Sequence, residues 1–139
     1  MRAIKWIVVH CSATRNGKEY HASDIDRWHK DKGWTMIGYH YVICVDGSLE
    51  PGRAEDKIGA HVEGHNTASL GICLIGTDVF SAAQYDALAV LLVEMMERFP
   101  NASILGHRDF PNVHKICPGF DVRAWCRDHN IKAWREWGG

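Results

Sequence analysis

Apolar and polar positions alternate along this chain in segments that read as strands and helices in turn. Residues 4–10 are rich in Ile, Val and Trp and predict a buried strand ending at His10. A polar loop with Asn16-Gly17 follows. Ser23 with Asp26 marks a helix start, and Ile25, Trp28, His29 and Lys32 keep helical spacing up to Gly33. Residues 39–45 (YHYVICV) predict a strand, Asp46-Gly47 a hairpin turn, and residues 48–50 the start of a return strand. In that strand, alternation places Tyr39 and Tyr41 on one face and His40 on the other. A loop rich in Gly, Ala and charge covers residues 51–67. The uncharged run at 69–75 (SLGICLI) predicts a central strand.

Ser81 with Gln84 forms a capping box, and Tyr85, Leu88, Leu91, Leu92, Met95 and Phe99 share one helical face until Pro100 stops the helix. A short strand at 103–105 delivers His107, and a last helix over about 121–128 buries Val122 and Trp125. There is no internal repeat, linker or low-complexity stretch. Strands alternating with helices predict an α/β fold, with a central mixed β-sheet flanked by helices.

Composition narrows the classes. At 139 residues with 46% hydrophobic content, the chain suits one domain, 1–139, with its core at about 4–127 and a short C-terminal tail. Sixteen basic residues against 17 acidic ones, net charge -1, leave no excess to follow a phosphate backbone, so no nucleic-acid partner is expected. No apolar run reaches the roughly 18 residues of a membrane span. The first ten residues lack a long apolar segment and a cleavage site, so no signal peptide is expected. Five cysteines without a CxxC pair predict free thiols, with Cys44 and Cys73 as core residues.

The chemistry concentrates in residues 106–122, GHRDFPNVHKICPGFDV. His107 and Cys117 lie ten positions apart, Lys115 precedes the thiol by two, and Pro118-Gly119 turns the chain after it. A cation near a thiol favours thiolate. His10, at the end of a strand, is a third candidate donor. Two nitrogens and a sulfur suit a catalytic zinc site, which keeps its fourth position for water or substrate. Nine histidines leave the ligand set open by composition alone. His107-Arg108-Asp109 looks like a kinase catalytic loop, but His114 stands where a kinase needs Asn, and no Gly-rich loop is present.

Five segments occur in one order: VHCSAT (9–14), GYHYVICVDG (38–47), GAHVEGHN (59–66), SLGICLIG (69–76) and 106–122. Together they resemble the zinc-dependent N-acetylmuramoyl-L-alanine amidases, the family of the amidase-type phage lysozymes and the peptidoglycan recognition proteins. The resemblance spans about residues 4–127. It implies helices on both faces of the sheet and a zinc cleft on one side. One zinc ion would be held by His10, His107 and Cys117, with Tyr39 and Lys115 as catalytic residues. His61, His65 and Asn66 fall in the loop that lines the substrate groove. The implied reaction cuts the amide between N-acetylmuramic acid and L-alanine in peptidoglycan or a muropeptide. In these roles Lys115 is a cation that stabilises the tetrahedral oxyanion, and the Tyr39 hydroxyl orients water or donates to that oxyanion. Tyr41 rivals Tyr39 for the role, and His40 is structural. Asp109 is expected to hold a ligand imidazole. Arg53 is expected in a surface ion pair, or on a peptide carboxylate.

The spacing of His107 and Cys117 also resembles the cytosolic branch that recycles anhydro-muropeptides, although that branch usually has Asp in place of Cys117. A recycling amidase and a non-catalytic peptidoglycan-binding module therefore stand as alternatives to a lytic phage enzyme. The expected lytic protein is a monomer made in the host cytoplasm, acting on the wall in the periplasm after release. Trp134 and Trp137 cover a sheet edge or the last helix, or else touch the wall.

Overall fold

The computed structural model describes residues 2–111 and 113–131, so Trp134 and Trp137 lie outside the described residues. Five strands form one mixed sheet: β1 (Trp6–Cys11), β2 (Tyr41–Ile43), β3 (Leu49–Pro51), β4 (Ser69–Leu74) and β5 (Ser103–Gly106). Their order is β3-β2-β4-β1-β5. β1 runs parallel to both β4 and β5, β2 is parallel to β4, and only β3 is antiparallel, paired with β2. Parallel strands need crossovers that cover both faces, which is why β1 and β4 read as apolar runs rather than alternating ones.

The helices are α1 (Ala22–Asp31), α2 (Ala82–Arg98) and α3 (Val122–Asp128). The predicted capping box at α2 is present. Ser81 Oγ accepts from Gln84 N–H at 3.0 Å, and Gln84 Oε1 accepts from Ser81 N–H at 2.9 Å. The buried Gln84 amide also donates to the carbonyls of Ile43 and Ile75, which ties the helix start to β2 and β4. α1 begins earlier than Ser23, with His21 as its N-cap. Two carboxylates decide this: Asp24 accepts from His21 N–H at 2.8 Å, and Glu50 from Ala22 N–H at 2.7 Å. Glu50 is far away in sequence, so local pattern does not reveal it.

Alternation divides each strand between two cores. Ile7 and Val9 of β1, Leu70, Ile72 and Leu74 of β4, and Ile104 of β5 pack with Leu88, Leu92 and Met95 of α2 and Val122 and Cys126 of α3. On the opposite face, Val42, Cys44 and Cys73 meet Ile25 of α1, while Val8 and Leu105 meet Val62 and Phe110. Fully burying one such aliphatic side chain contributes about 1.5–3 kcal/mol. The α2 face is mostly aliphatic, and His10 lies on the other.

Tyr39 and Tyr41 do not share a face. Tyr39 packs with the α1 cluster and Tyr41 with the α2 cluster. Residues 38 and 40 are bends and β2 begins only at Tyr41, so strand alternation does not reach back to Tyr39. The Tyr41 hydroxyl donates to Glu55, which removes it as a rival. His40 is 1% exposed and structural. Its Nδ1 accepts from Gly71 N–H at 3.0 Å and its Nε2 donates to the Lys57 carbonyl at 2.8 Å. All five cysteines are free thiols. Among the described residues, no helix is long and apolar enough to cross a membrane.

Candidate active site

His10 points from the C-terminal part of β1 onto the face that α2 does not cover. It is 1% exposed. Ligand sites commonly lie beyond the carboxyl ends of parallel strands, and here β5, parallel to β1, delivers His107 immediately after Gly106. The His10 and His107 rings lie 4.7 Å apart between centroids. Cys117 returns from the ten-residue loop, whose two ends are clamped together by Arg108 N–H donating to the Cys117 carbonyl at 2.8 Å. One potential ligand atom from each of His10, His107 and Cys117 lies within 4.8 Å of the other two. The three expected ligands therefore converge.

The two nitrogens of His10 have separate duties. Nδ1 faces Cys117 Sγ at 4.0 Å, and Nε2 meets His61 Nδ1 at 2.9 Å. The far nitrogen of His61 lies 3.2 Å from Ser69 Oγ. The row Cys117–His10–His61–Ser69 thus holds the His10 ring by its outer nitrogen. Burial, and then the neighbouring His61, His107 and Lys115, keep His10 neutral well below the usual histidine range. Burial likewise holds His61 down to about 3. His107 is also lowered, by burial and then by Lys115. Neutral imidazoles carry the lone pairs that bind a cation.

The sulfur is prepared differently. The neighbouring Cys117 thiol lowers Cys11 to about 7, while Cys11 and then burial raise Cys117. The Cys11 backbone N–H donates to Cys117 Sγ at 3.2 Å.

Tyr39 lies beside this cluster, its ring 5.0 Å from that of His10. Burial pushes its hydroxyl well above the usual tyrosine range, with the neighbouring Cys73, Cys117 and Cys11 thiols adding to the shift. Tyr39 is therefore a neutral donor. Beside the cluster lies a groove of about 860 Å³. His61, His65 and Asn66 line it from one loop, His107, Val113, His114 and Lys115 from another, and Trp34 completes it. Asn66 Oδ1 accepts from the N–H groups of His61 and Val62 and shapes the loop. His65 packs its ring on Trp6 and Phe110.

Two expectations change. The Asp109 carboxylate accepts from Gly106 N–H and from Arg123 rather than holding an imidazole. The orienting partner of a candidate ligand is His61, which sequence reading places at the substrate. Arg53 donates to the carbonyls of Ile37 and Ile58 instead of meeting a carboxylate there. Ser69 and Cys11 were not foreseen. Their only sequence signal is that Ser69 opens the β4 run and Cys11 follows His10.

A family model described as N-acetylmuramoyl-L-alanine amidase matches residues 1–120. An endolysin of Klebsiella phage KP32 is 41% identical over 133 residues, covering 90% of this chain and 87% of that protein. An endolysin of Escherichia phage T7 is 37% identical over 133 residues, with the same coverage of each. Among solved structures, the N-acetylmuramoyl-L-alanine amidase LysC from Clostridium intestinale superposes with a TM-score of 0.82 at 28% identity, covering 94% of this chain and 88% of that one.

Proposed function

Because the chain belongs to the N-acetylmuramoyl-L-alanine amidase family, we propose that it hydrolyses the amide between N-acetylmuramic acid and L-alanine in peptidoglycan, as a zinc-dependent phage endolysin. The observation that carries this reading is the convergence of His10, His107 and Cys117 donor atoms beside a groove. Two neutral imidazoles and one thiolate match zinc in hardness and number, with a coordination position left over for chemistry. His10 through Nδ1, His107, and Cys117 through Sγ would hold the ion. When bound, zinc polarises the scissile carbonyl and makes water a better nucleophile at neutral pH.

The remaining work falls to this chain's own groups. His61 fixes the His10 ring, so that Nδ1 is presented toward Cys117 without searching for its orientation. Lys115, exposed and lining the groove, offers its ammonium to the oxyanion that develops as the amide carbon becomes tetrahedral. A positioned charge of this kind acts where charge appears in the transition state. Tyr39 keeps its proton and donates it in a hydrogen bond to the same oxygen or to the attacking water. His65 and Asn66, with the outer edge of His61, contact the muropeptide along the groove wall. Endolysin relatives covered over most of their length support action on the cell wall. The reading includes synthesis in the host cytoplasm, release to the periplasm, and a working monomer.

The direct test digests purified peptidoglycan with the protein and characterises the products. New L-alanine amino termini without new reducing sugar ends are expected. Reducing ends would identify a glycosidase, and binding without cleavage a recognition module. Cys117→Ser should lower bound zinc in elemental analysis and abolish lysis while keeping a native circular dichroism spectrum. Full lysis by that variant would remove Cys117 from the ligand set.

A further inference from the structure

A second group of donors lies at the start of α1, and none of its members belongs to the active site. His21 Nδ1 is 3.0 Å from Glu50 Oε2 and 3.6 Å from Cys44 Sγ. The three come from the N-cap of α1, the hairpin after β2, and β3, yet their ligand atoms all lie within 4.8 Å of one another. Zinc bond lengths of about 2.0–2.3 Å require ligand-to-ligand edges of roughly 3.3–3.6 Å around a tetrahedron. The His21–Cys44 separation of 3.6 Å matches such an edge, and the His21–Glu50 separation of 3.0 Å is slightly shorter.

The surroundings support the same use. His21 Nε2, the nitrogen facing away from Cys44, is 2.8 Å from Glu19 Oε1. A carboxylate on the outer nitrogen of an imidazole is the usual partner of a metal-ligating histidine, because it fixes the tautomer and raises basicity. Glu50 is anchored as well, its Oε1 accepting from Ala22 N–H at 2.7 Å. Helix capping accounts for that anchor. It does not account for a buried thiol, 1% exposed, turned toward the same imidazole nitrogen. The His21 and Glu50 side chains are 39% and 31% exposed, so an ion can enter from solvent. One thiolate and two carboxylates would offset the charge of a dication.

We propose that His21 Nδ1, Cys44 Sγ and a Glu50 carboxylate oxygen form a second site for a zinc-like divalent transition metal, with Glu19 holding the imidazole from its outer side. The site is structural: it would pin the first turn of α1 to the β2–β3 hairpin. Binding replaces protons on Sγ and on the imidazole, which leave to solvent.

Cobalt(II) is a suitable probe, because a thiolate ligand gives it an intense near-ultraviolet charge-transfer band. In Cys117→Ser, which lacks the thiolate of the active site, excess cobalt should still produce such a band, at about half the wild-type intensity, one thiolate remaining of two. The band should vanish in the Cys44→Ser/Cys117→Ser double variant. No band in folded Cys117→Ser overturns the proposal, and so does a band that survives in the double variant. Native mass spectrometry of the full chain gives an independent reading that does not need Cys117 replaced. Cys44→Ser should hold one metal ion fewer than wild type while keeping its amidase activity, and an unchanged ion count overturns the proposal. Neither readout depends on peptidoglycan cleavage, so failure here is separate from failure of the amidase reading.

Discussion

A histidine ring has two nitrogens, and in this site their division matters more than the residue's identity. His10 gives Nε2 to His61 and turns Nδ1 toward Cys117. Two roles for His61 are therefore distinguishable. If it orients His10, His61→Ala should lower kcat about 10- to 100-fold, the usual effect of losing such a partner, with weaker metal retention and little change in KM. His61→Gln, which keeps a hydrogen-bonding group, should restore part of the rate. A rise in KM alone would assign His61 to the substrate instead. Steady-state kinetics on a soluble muropeptide, beside elemental analysis, makes the distinction.

At the scale of the element, β4 decides whether His61 can stand where it does. The His61 ring lies over Gly71, and a Cβ there would sit 2.7 Å from His61 Cγ. Only hydrogen fits, so the strand carries a glycine opposite Val8 of β1 despite the poor strand propensity of glycine. Gly71→Ala should push the ring away and reproduce the catalytic defect of His61→Ala. Overpacking should also cost about 1–3 kcal/mol of stability. A thermal melt and an activity assay on the same sample test this, and an unchanged rate would show that the ring is not held from below. Gly119 answers a similar demand in the loop after Cys117, since a Cβ there would meet Asp78 at 2.3 Å.

At the scale of the whole molecule, part of the pH response comes from groups outside the proposed ligand set. Buried His40 accepts from Gly71 N–H through Nδ1, so a proton on that nitrogen would set two donors against each other. Burial, the largest cause, lowers its pKa. The unfolded chain therefore takes up the proton first, and this contribution to stability is lost as pH falls below about 6.5. Glu55 is lowered chiefly by its hydrogen bonds from Arg98, at 2.7 and 2.8 Å. Its contribution is present above the ordinary glutamate value of about 4.3 and is lost as pH falls through the lower folded value. Urea titrations followed by circular dichroism should show stability declining in both windows. His40→Asn should make the upper window less steep, the rest of it being shared by His10, His61 and His107, which burial also lowers, and Arg98→Ala should flatten the lower. Unchanged slopes would place the acid sensitivity elsewhere.

Sequence by itself determined most of the elements. Apolar runs specified β1 and β4 as doubly buried strands, and the Ser81–Gln84 pair set the start of α2, because burial and capping act through neighbouring residues. It also identified the donor types at His10, His107 and Cys117, since soft and borderline ligands are few and sit in recognisable segments. It could not place Tyr39 relative to Tyr41, because alternation holds only within a strand and the chain bends before β2. The start of α1 depended on Glu50, and the orientation of His10 on His61, each brought in from a distant segment. Those pairings exist only after the sheet has assembled. A hydrogen bond depends on ångström-scale position, which hydrophobic pattern does not encode, so tertiary structure alone decided that His61 meets His10 Nε2.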